Sequence, residues 1–336
     1  MTPSPRPHPR TLSVGGITFD LFVRTDGSHV RIDRENHALE LPLGAKVRVD
    51  EIIEMCGGGA SNTSVGFARL GCDAGFCGVV GSDQWGERLL ENLQRQGVDT
   101  RSATVVEGEN SSSSIILSVS SGERVILYNA GTNAHLHRTT FDHERAKRSE
   151  WIYLNHLQED SIVIQDDLIG ILEHTVRPIG FTWNPGGAQI EAGIASPDNH
   201  RLLAHTTVLL LNKEESLAFT GEETMEAALA SCRKKGARIV CITDGENGVL
   251  AGDAAHLYRC PVLEEVPVID TTGAGDGFGV GVSWAILHGL DLPNALRAGT
   301  INATSVLGSL GAQAGLLTDI EMQNRLRSVH LDVQAV

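Results

Sequence analysis

Basic residues are in short supply. The 336-residue chain has 27 Lys and Arg against 42 Asp and Glu, a formal net charge of −15. Affinity for a phosphate backbone rests on clustered Lys and Arg, so this balance excludes a nucleic-acid partner. It leaves room for anions held locally at helix N-termini, which net charge does not report. Paired cysteines are missing as well: Cys56, Cys72, Cys77, Cys232, Cys241 and Cys260 lie far apart, with no CxxC and no His at metal-ligand spacing. That excludes a disulfide frame or zinc site and predicts reduced, mostly buried thiols in a cytoplasmic protein. No apolar run approaches the roughly 20 residues of a membrane span, so no membrane partner is expected. Residues 1–11 carry four prolines and no apolar core, and read as a disordered tail rather than a signal peptide.

What is present suits a globular chain, with 41% hydrophobic and 21% charged residues. At about 150 residues per domain the length allows two domains, or one large α/β domain with an appendage. Leu12–Phe19 reads as a first strand ending near Asp20. From 21 to 56 short alternating segments follow, such as Lys46 to Asp50, which suit an exposed β-ribbon with one face covered. Segments 113–119 and 124–128, joined through Ser121 and Gly122, read as a hairpin belonging either to that appendage or to an edge of the main sheet. From Ala60 onward helix and strand alternate. The pattern includes strands at 74–80, 151–154, 179–183, 207–211 and 238–243, and helices at 61–70, 83–96, 162–176, 225–235, 273–287 and 295–307. Such alternation specifies a doubly wound, mostly parallel sheet flanked by helices.

Thirty-seven glycines are many, and two clusters stand out. Asp270-Thr271-Thr272-Gly273-Ala274-Gly275-Asp276-Gly277-Phe278 follows the apolar run Val266–Ile269, read as a strand, and opens an apolar helix. Small residues there let backbone N–H groups converge on an anion, and the helix dipole adds to the attraction. Asp276 inside such a site would repel a bound phosphate. It makes sense as a base that deprotonates an attacking hydroxyl while the N–H groups of Gly273, Ala274 and Gly275 hold charge on a transferring phosphoryl. Otherwise Asp276 is an ordinary helix-dipole partner. The second cluster, Gly57 to Asn62, also precedes a helix; Gly58 and Gly59 allow close backbone approach, and Asn62 offers donor and acceptor to a hydroxylated ligand. Asp20 is either a sugar-hydroxyl acceptor or a turn carboxylate. No GxxxxGK[ST] motif occurs.

DTTGAGDGF at 270–278 and GGGASNTSVGFARLG at 57–71 resemble the C-terminal and N-terminal signatures of the PfkB, or ribokinase-like, carbohydrate and nucleoside kinases. The resemblance runs from Leu12 to about Leu317. It implies a ribokinase-like fold with a small β-sheet lid over segments 21–56 and 113–128, and an ATP-dependent phosphotransferase acting on a sugar hydroxyl. It implies that Asp20, Gly58, Gly59 and Asn62 bind the acceptor. Asn184, Thr243, Gly245, Gly248 and Asn302 would face the nucleotide, and Asn212 and Glu215, in an NxxE-like motif, would tune magnesium. Asp270 and Thr272 resemble part of a potassium loop, and the lid of such kinases suggests a homodimer. In two places the sequence departs from the family pattern. Gly59 stands where the ribokinase form has Lys, and no basic residue follows Pro185 as in several sugar-acid kinases. The rival readings are a nucleoside kinase, with Phe19 and Phe22 lining a base, and a catalytically silent sugar-binding regulator.

Overall fold

The computed structural model describes residues 8–25, 30–33, 38–119, 124–138, 141–157 and 164–336. Its strands in the first half are β1 (Arg10–Val14), β2 (Thr18–Thr25), β3 (Arg31–Asp33), β4 (Ala38–Glu40), β5 (Glu51–Gly57), β6 (Asp73–Gly81), β7 (Ala103–Val106), β8 (Ser113–Val119) and β9 (Arg124–Asn129). The second half contributes β10 (Trp151–Leu154), β11 (Gly180–Trp183), β12 (Val208–Asn212), β13 (Ile239–Thr243), β14 (Val249–Gly252), β15 (Leu257–Cys260) and β16 (Gln334–Ala335).

Ten strands form the main sheet in the order β16-β15-β14-β13-β12-β11-β10-β1-β6-β7. The seven from β13 to β7 run parallel, and β14, β15 and β16 join antiparallel at one edge. Period-2 alternation sends Ile152 and Leu154 into one apolar layer and Trp151 and Tyr153 into the other. Both faces are therefore buried, as a parallel sheet with helices on each side requires. The helix Ala274–Leu287 packs into the second layer and is buried from Gly277 to Ala285, which explains why its sequence is apolar all round.

β5, β2, β8 and β9 form a separate four-stranded sheet. It is rooted on the helix Gln84–Arg95: Phe19 stacks on Trp85 at 4.2 Å, Arg88 lies over both rings, and Arg88 pairs with Glu54.

Several local expectations are corrected. Leu12–Phe19 is not one strand, because the chain breaks at Gly15 to Ile17 and crosses from the main sheet to the second one. Asp20 consequently sits inside a strand of the second sheet. Lys46–Asp50 is outside any strand, and β5 begins only at Glu51. Val266–Ile269 is not a strand either, and Val268 and Ile269 are exposed. β1 starts at Arg10, inside the segment read as a tail. The hairpin 113–128 joins the second sheet, and its expected turn at Ser121 and Gly122 lies outside the described residues. Residues 1–7 and the first two residues of the 162–176 helix also lie outside them; the helix is described over Ile164–His174.

Candidate active site

The carboxyl ends of five parallel strands meet at one cavity of about 360 Å³. Gly16 lies just beyond β1, Asn155 and His156 follow β10, Asn184 follows β11, Asn212 closes β12 and Thr243 closes β13. β1 is flanked by β10 and β6, so chain order reverses there, and an open α/β sheet leaves its ligand crevice at such a switch point.

One wall is the start of the Ala274–Leu287 helix, with Gly273, Gly275, Asp276 and Phe278. Gly273 has φ of 78°, and a Cβ there would stand 2.3 Å from that of Ala312, so the turn into the helix needs glycine. The Ala274 N–H turns back on the Thr271 carbonyl at 3.3 Å, and that of Gly277 on Gly273 at 2.9 Å. The N–H groups of Gly275 and Asp276 belong to the first turn, where a helix offers no acceptor. Of the three residues expected to form an anion cradle, Gly273, Ala274 and Gly275, Ala274 thus has a backbone partner of its own. Gly58 and Gly59 line the same cavity. Gly58 has φ of 90°, and a Cβ there would stand 2.5 Å from the Cα of Ile17.

A second, mostly apolar cavity of about 530 Å³ adjoins the first and is lined by Gly245, Gly248, Val249, Leu263, Val268 and Ala303, among others. Thr243, Gly275 and Phe278 line both, so the two cavities meet at the N-terminus of one helix.

Asp276 lines the first cavity, next in sequence to Gly275 at the junction. Its carboxylate accepts a hydrogen bond from Asn62 Nδ2 at 2.8 Å. Burial raises its pKa above the ordinary carboxylate value, while the Asn62 bond and the nearby His156 oppose that shift. Asn62 itself is 3% exposed, and its Oδ1 accepts from Gln313 Nε2 at 3.1 Å. Both ends of the amide are in use, so Asn62 faces Asp276 rather than an acceptor. Asp20 does not line the cavity beside Asp276. It accepts a hydrogen bond from Ser114 Oγ, and burial pushes its pKa up to about 6 against that bond, with the charge of Asp270 adding to the rise.

Asn212 and Glu215 form a reciprocal cap on the helix Lys213–Thr220: each backbone N–H donates to the other's side chain at 2.8 Å. Both line the cavity. Magnesium commonly takes one or two carboxylates and leaves the rest of its shell to phosphates and water. Glu215, with only Oε2 used by the cap, fits that pattern. Asp270 does not fit a cation ligand. Its Oδ1 accepts from Thr272 N, Thr272 Oγ1 and Arg124 Nη1 at 2.8–3.0 Å, and its Oδ2 from Gly311 N at 3.0 Å. Among the described residues no group of three or more His, Cys, Asp and Glu side chains could hold a metal. Asn302 is fully buried: it donates to the Gly277 carbonyl at 2.8 Å and accepts from Leu317 N at 3.1 Å, bracing two segments. Its helix neighbours Ala303 and Thr304 line the apolar cavity instead.

Sequence reasoning missed Thr18, Tyr128, Asn133 and Asn155, all of which line the first cavity. Asn155 Nδ2 donates to Thr63 Oγ1 at 3.1 Å, and its buried Oδ1, which lies against Gly59, has no hydrogen-bond partner. The signal for it was available, because Asn155 directly follows an apolar strand as Asn184 does. Tyr128 reaches the cavity from β9, and no local pattern announces that.

The pfkB family carbohydrate kinase profile matches residues 27–319. An uncharacterized sugar kinase of Archaeoglobus fulgidus is 29% identical over 76% of this chain and all of its own length. The ribokinase of Bacillus subtilis is 28% identical over 93% of this chain and 98% of its own. The solved structure of Arabidopsis thaliana ribokinase complexed with ribose and ATP superposes with a TM-score of 0.79 at 21% identity, covering 95% of this chain and 99% of that one. Burkholderia thailandensis nucleoside kinase in complex with inosine gives 0.76 at 20% identity, covering 96% and 98%. The chain belongs to the pfkB family of carbohydrate and nucleoside kinases, and its fold is ribokinase-like. It is a phosphotransferase with an alcohol group as acceptor.

Proposed function

We propose that the protein phosphorylates a hydroxyl of a small neutral sugar with ATP as donor. The observation that carries this reading is the meeting of two cavities, one more polar and one mostly apolar, at a helix N-terminus that carries the half-buried Asp276. The apolar cavity suits a nucleotide base, with Thr243, Gly245 and Gly248 beside it. In the polar cavity Thr18, Asn133 and Asn155, with Gly58 and Gly59, offer the neutral hydrogen-bonding groups that recognise hydroxyls. Asp276 takes the proton of the acceptor hydroxyl as its oxygen bonds to the γ-phosphorus and the bond to the ADP oxygen breaks. The free N–H groups of Gly275 and Asp276, with the helix dipole, stabilise charge on the transferring phosphoryl. Magnesium, when bound, neutralises phosphate charge, and Glu215 with Asn212 is the place for it.

A nucleoside acceptor is the second reading, favoured by Tyr128, which can stack on a base. Phe19 and Phe22 do not serve it, because both are buried and neither lines the polar cavity. The four-stranded sheet acts as lid and dimer surface in this proposal: Ile52, Ile115, Val125 and Leu127 share its outer face and are exposed. A coupled assay of ADP release tests the acceptor against pentoses, hexoses, sugar acids, inositols and nucleosides. Turnover with a free neutral sugar supports the first reading; turnover with nucleosides alone replaces it by the second.

A further inference from the structure

Gln313 lies outside both signatures, yet the fold brings it to Asn62, the partner of Asp276. The segment carrying it is clamped by Arg69, whose Nη1 donates to the carbonyls of Gln313, Ala314 and Leu316 at 2.8, 3.3 and 2.9 Å. Its side chain is 8% exposed. Asn92 Nδ2 donates to Gln313 Oε1 at 2.9 Å, and Gln313 Nε2 donates to Ser61 Oγ at 2.9 Å and to Asn62 Oδ1 at 3.1 Å. Asn62 Nδ2 then donates to Asp276 Oδ2 at 2.8 Å. Every amide in this chain points its N–H groups the same way, towards the carboxylate.

The direction matters because a primary amide can rotate end for end. A flipped Asn62 would set its Oδ1 against the Asp276 carboxylate, two acceptors without a proton between them. A donor on the far side holds the same orientation from the other end, and Gln313 is that donor; its own orientation is fixed in turn by Asn92. A hydrogen bond from Asn62 favours the ionised carboxylate, the form a base needs, in a site where burial favours the protonated form. The other titratable groups near Asp276 are His156 and Tyr153, and near Gln313 the charged group is Arg69.

We infer that Gln313 is a positioning residue for phosphoryl transfer, acting through the orientation of Asn62 to hold Asp276 ionised and aimed at the acceptor. This rests on the reading of Asp276 as the base. The test uses the full chain, MgATP and whichever compound of the acceptor panel turns over fastest. Gln313→Met keeps the side-chain length and removes the amide. It should lower kcat by about 10- to 100-fold, the loss that follows from weakening a hydrogen bond to a charged group. KM for ATP should stay within about twofold. The acidic limb of kcat/KM should move to higher pH, which a purely structural role would not produce. Asn62→Ala should do the same, and adding Gln313→Met to it should cost little more, since one acts through the other. Additive losses, or an unmoved limb in Gln313→Met, overturn the inference. Asp276→Asn separates the two claims: if it keeps the normal rate, the base assignment fails; if it collapses while Gln313→Met stays normal, only the positioning role fails.

Discussion

β10 and β9 each carry a run of four large apolar or aromatic residues and have opposite surroundings. Trp151–Leu154 is buried at all four positions, whereas Arg124–Asn129 is exposed at all six. β10 lies between β1 and β11 with helices above and below. β9 is the edge of the four-stranded sheet and has no covering layer among the described residues. The same chemistry therefore serves different ends: in the main sheet it stabilises the platform on which the site is built, and in the second sheet it remains available to meet a ligand or another chain. The contrast extends to the site. Asn155, Asn184, Asn212 and Thr243 stand on the rigid strand ends, while Tyr128 comes from the exposed edge.

The largest effect expected along this division is on chemistry at the platform. Asp276→Asn keeps shape and hydrogen-bonding reach but cannot take a proton, so kcat should fall about 10²–10⁴-fold with nucleotide affinity nearly intact, read by single-turnover kinetics and nucleotide titration. Because its pKa is raised by burial, the acidic limb of the wild-type rate profile should lie above the ordinary aspartate value of 3.8.

Next comes the platform itself. Phe181→Ala in β11 removes a fully buried ring and should destabilise the fold by about 3–5 kcal/mol, measured by denaturant unfolding. The matching truncation on the four-stranded sheet, Leu127→Ala, should cost within about 0.5 kcal/mol. If Leu127→Lys leaves the sedimentation behaviour of the chain unchanged, the lid face is not a dimer surface. A lid role in acceptor binding is separable from this: Tyr128→Ala should raise acceptor KM severalfold and spare kcat. A fall in kcat alone would place Tyr128 with the chemistry instead.

A pH-dependent effect is expected at the seam between the regions. Asp20 in β2 has its pKa raised from 3.8 to about 6, so the folded state holds its proton more tightly than the unfolded chain. The contribution is fully present below about pH 4 and is lost as pH rises through 6. Asp20→Asn should therefore melt higher than wild type above pH 6, with the gap closing towards pH 4. A constant offset across that range would show that ionisation of Asp20 is not what strains the seam.

The sequence by itself determined the parallel sheet, because strands buried on both faces must be nearly continuous apolar runs, as at 151–154 and 208–211. It also determined the two glycine-rich helix starts and the residue most able to act as a base, since tight turns demand glycine locally and a carboxylate beside an anion site is conspicuous. Tertiary structure alone decided which sheet each strand joins. Gly15 to Ile17 divides what reads as one strand; the Gly15-Gly16 pair is the local sign of a break, but that the chain then enters a second sheet is not legible there. It also decided what each polar side chain touches. Asn62 reads as a ligand-binding amide until Asp276 and Gln313 close on its two ends, and Asn302 reads as a site residue until Gly277 and Leu317 do the same. Local patterns report the burial and backbone geometry of a segment. Hydrogen-bond partners more than 200 residues apart, such as Asn62 and Asp276, are brought together only by packing, and a donor or acceptor gains its role from whatever stands opposite.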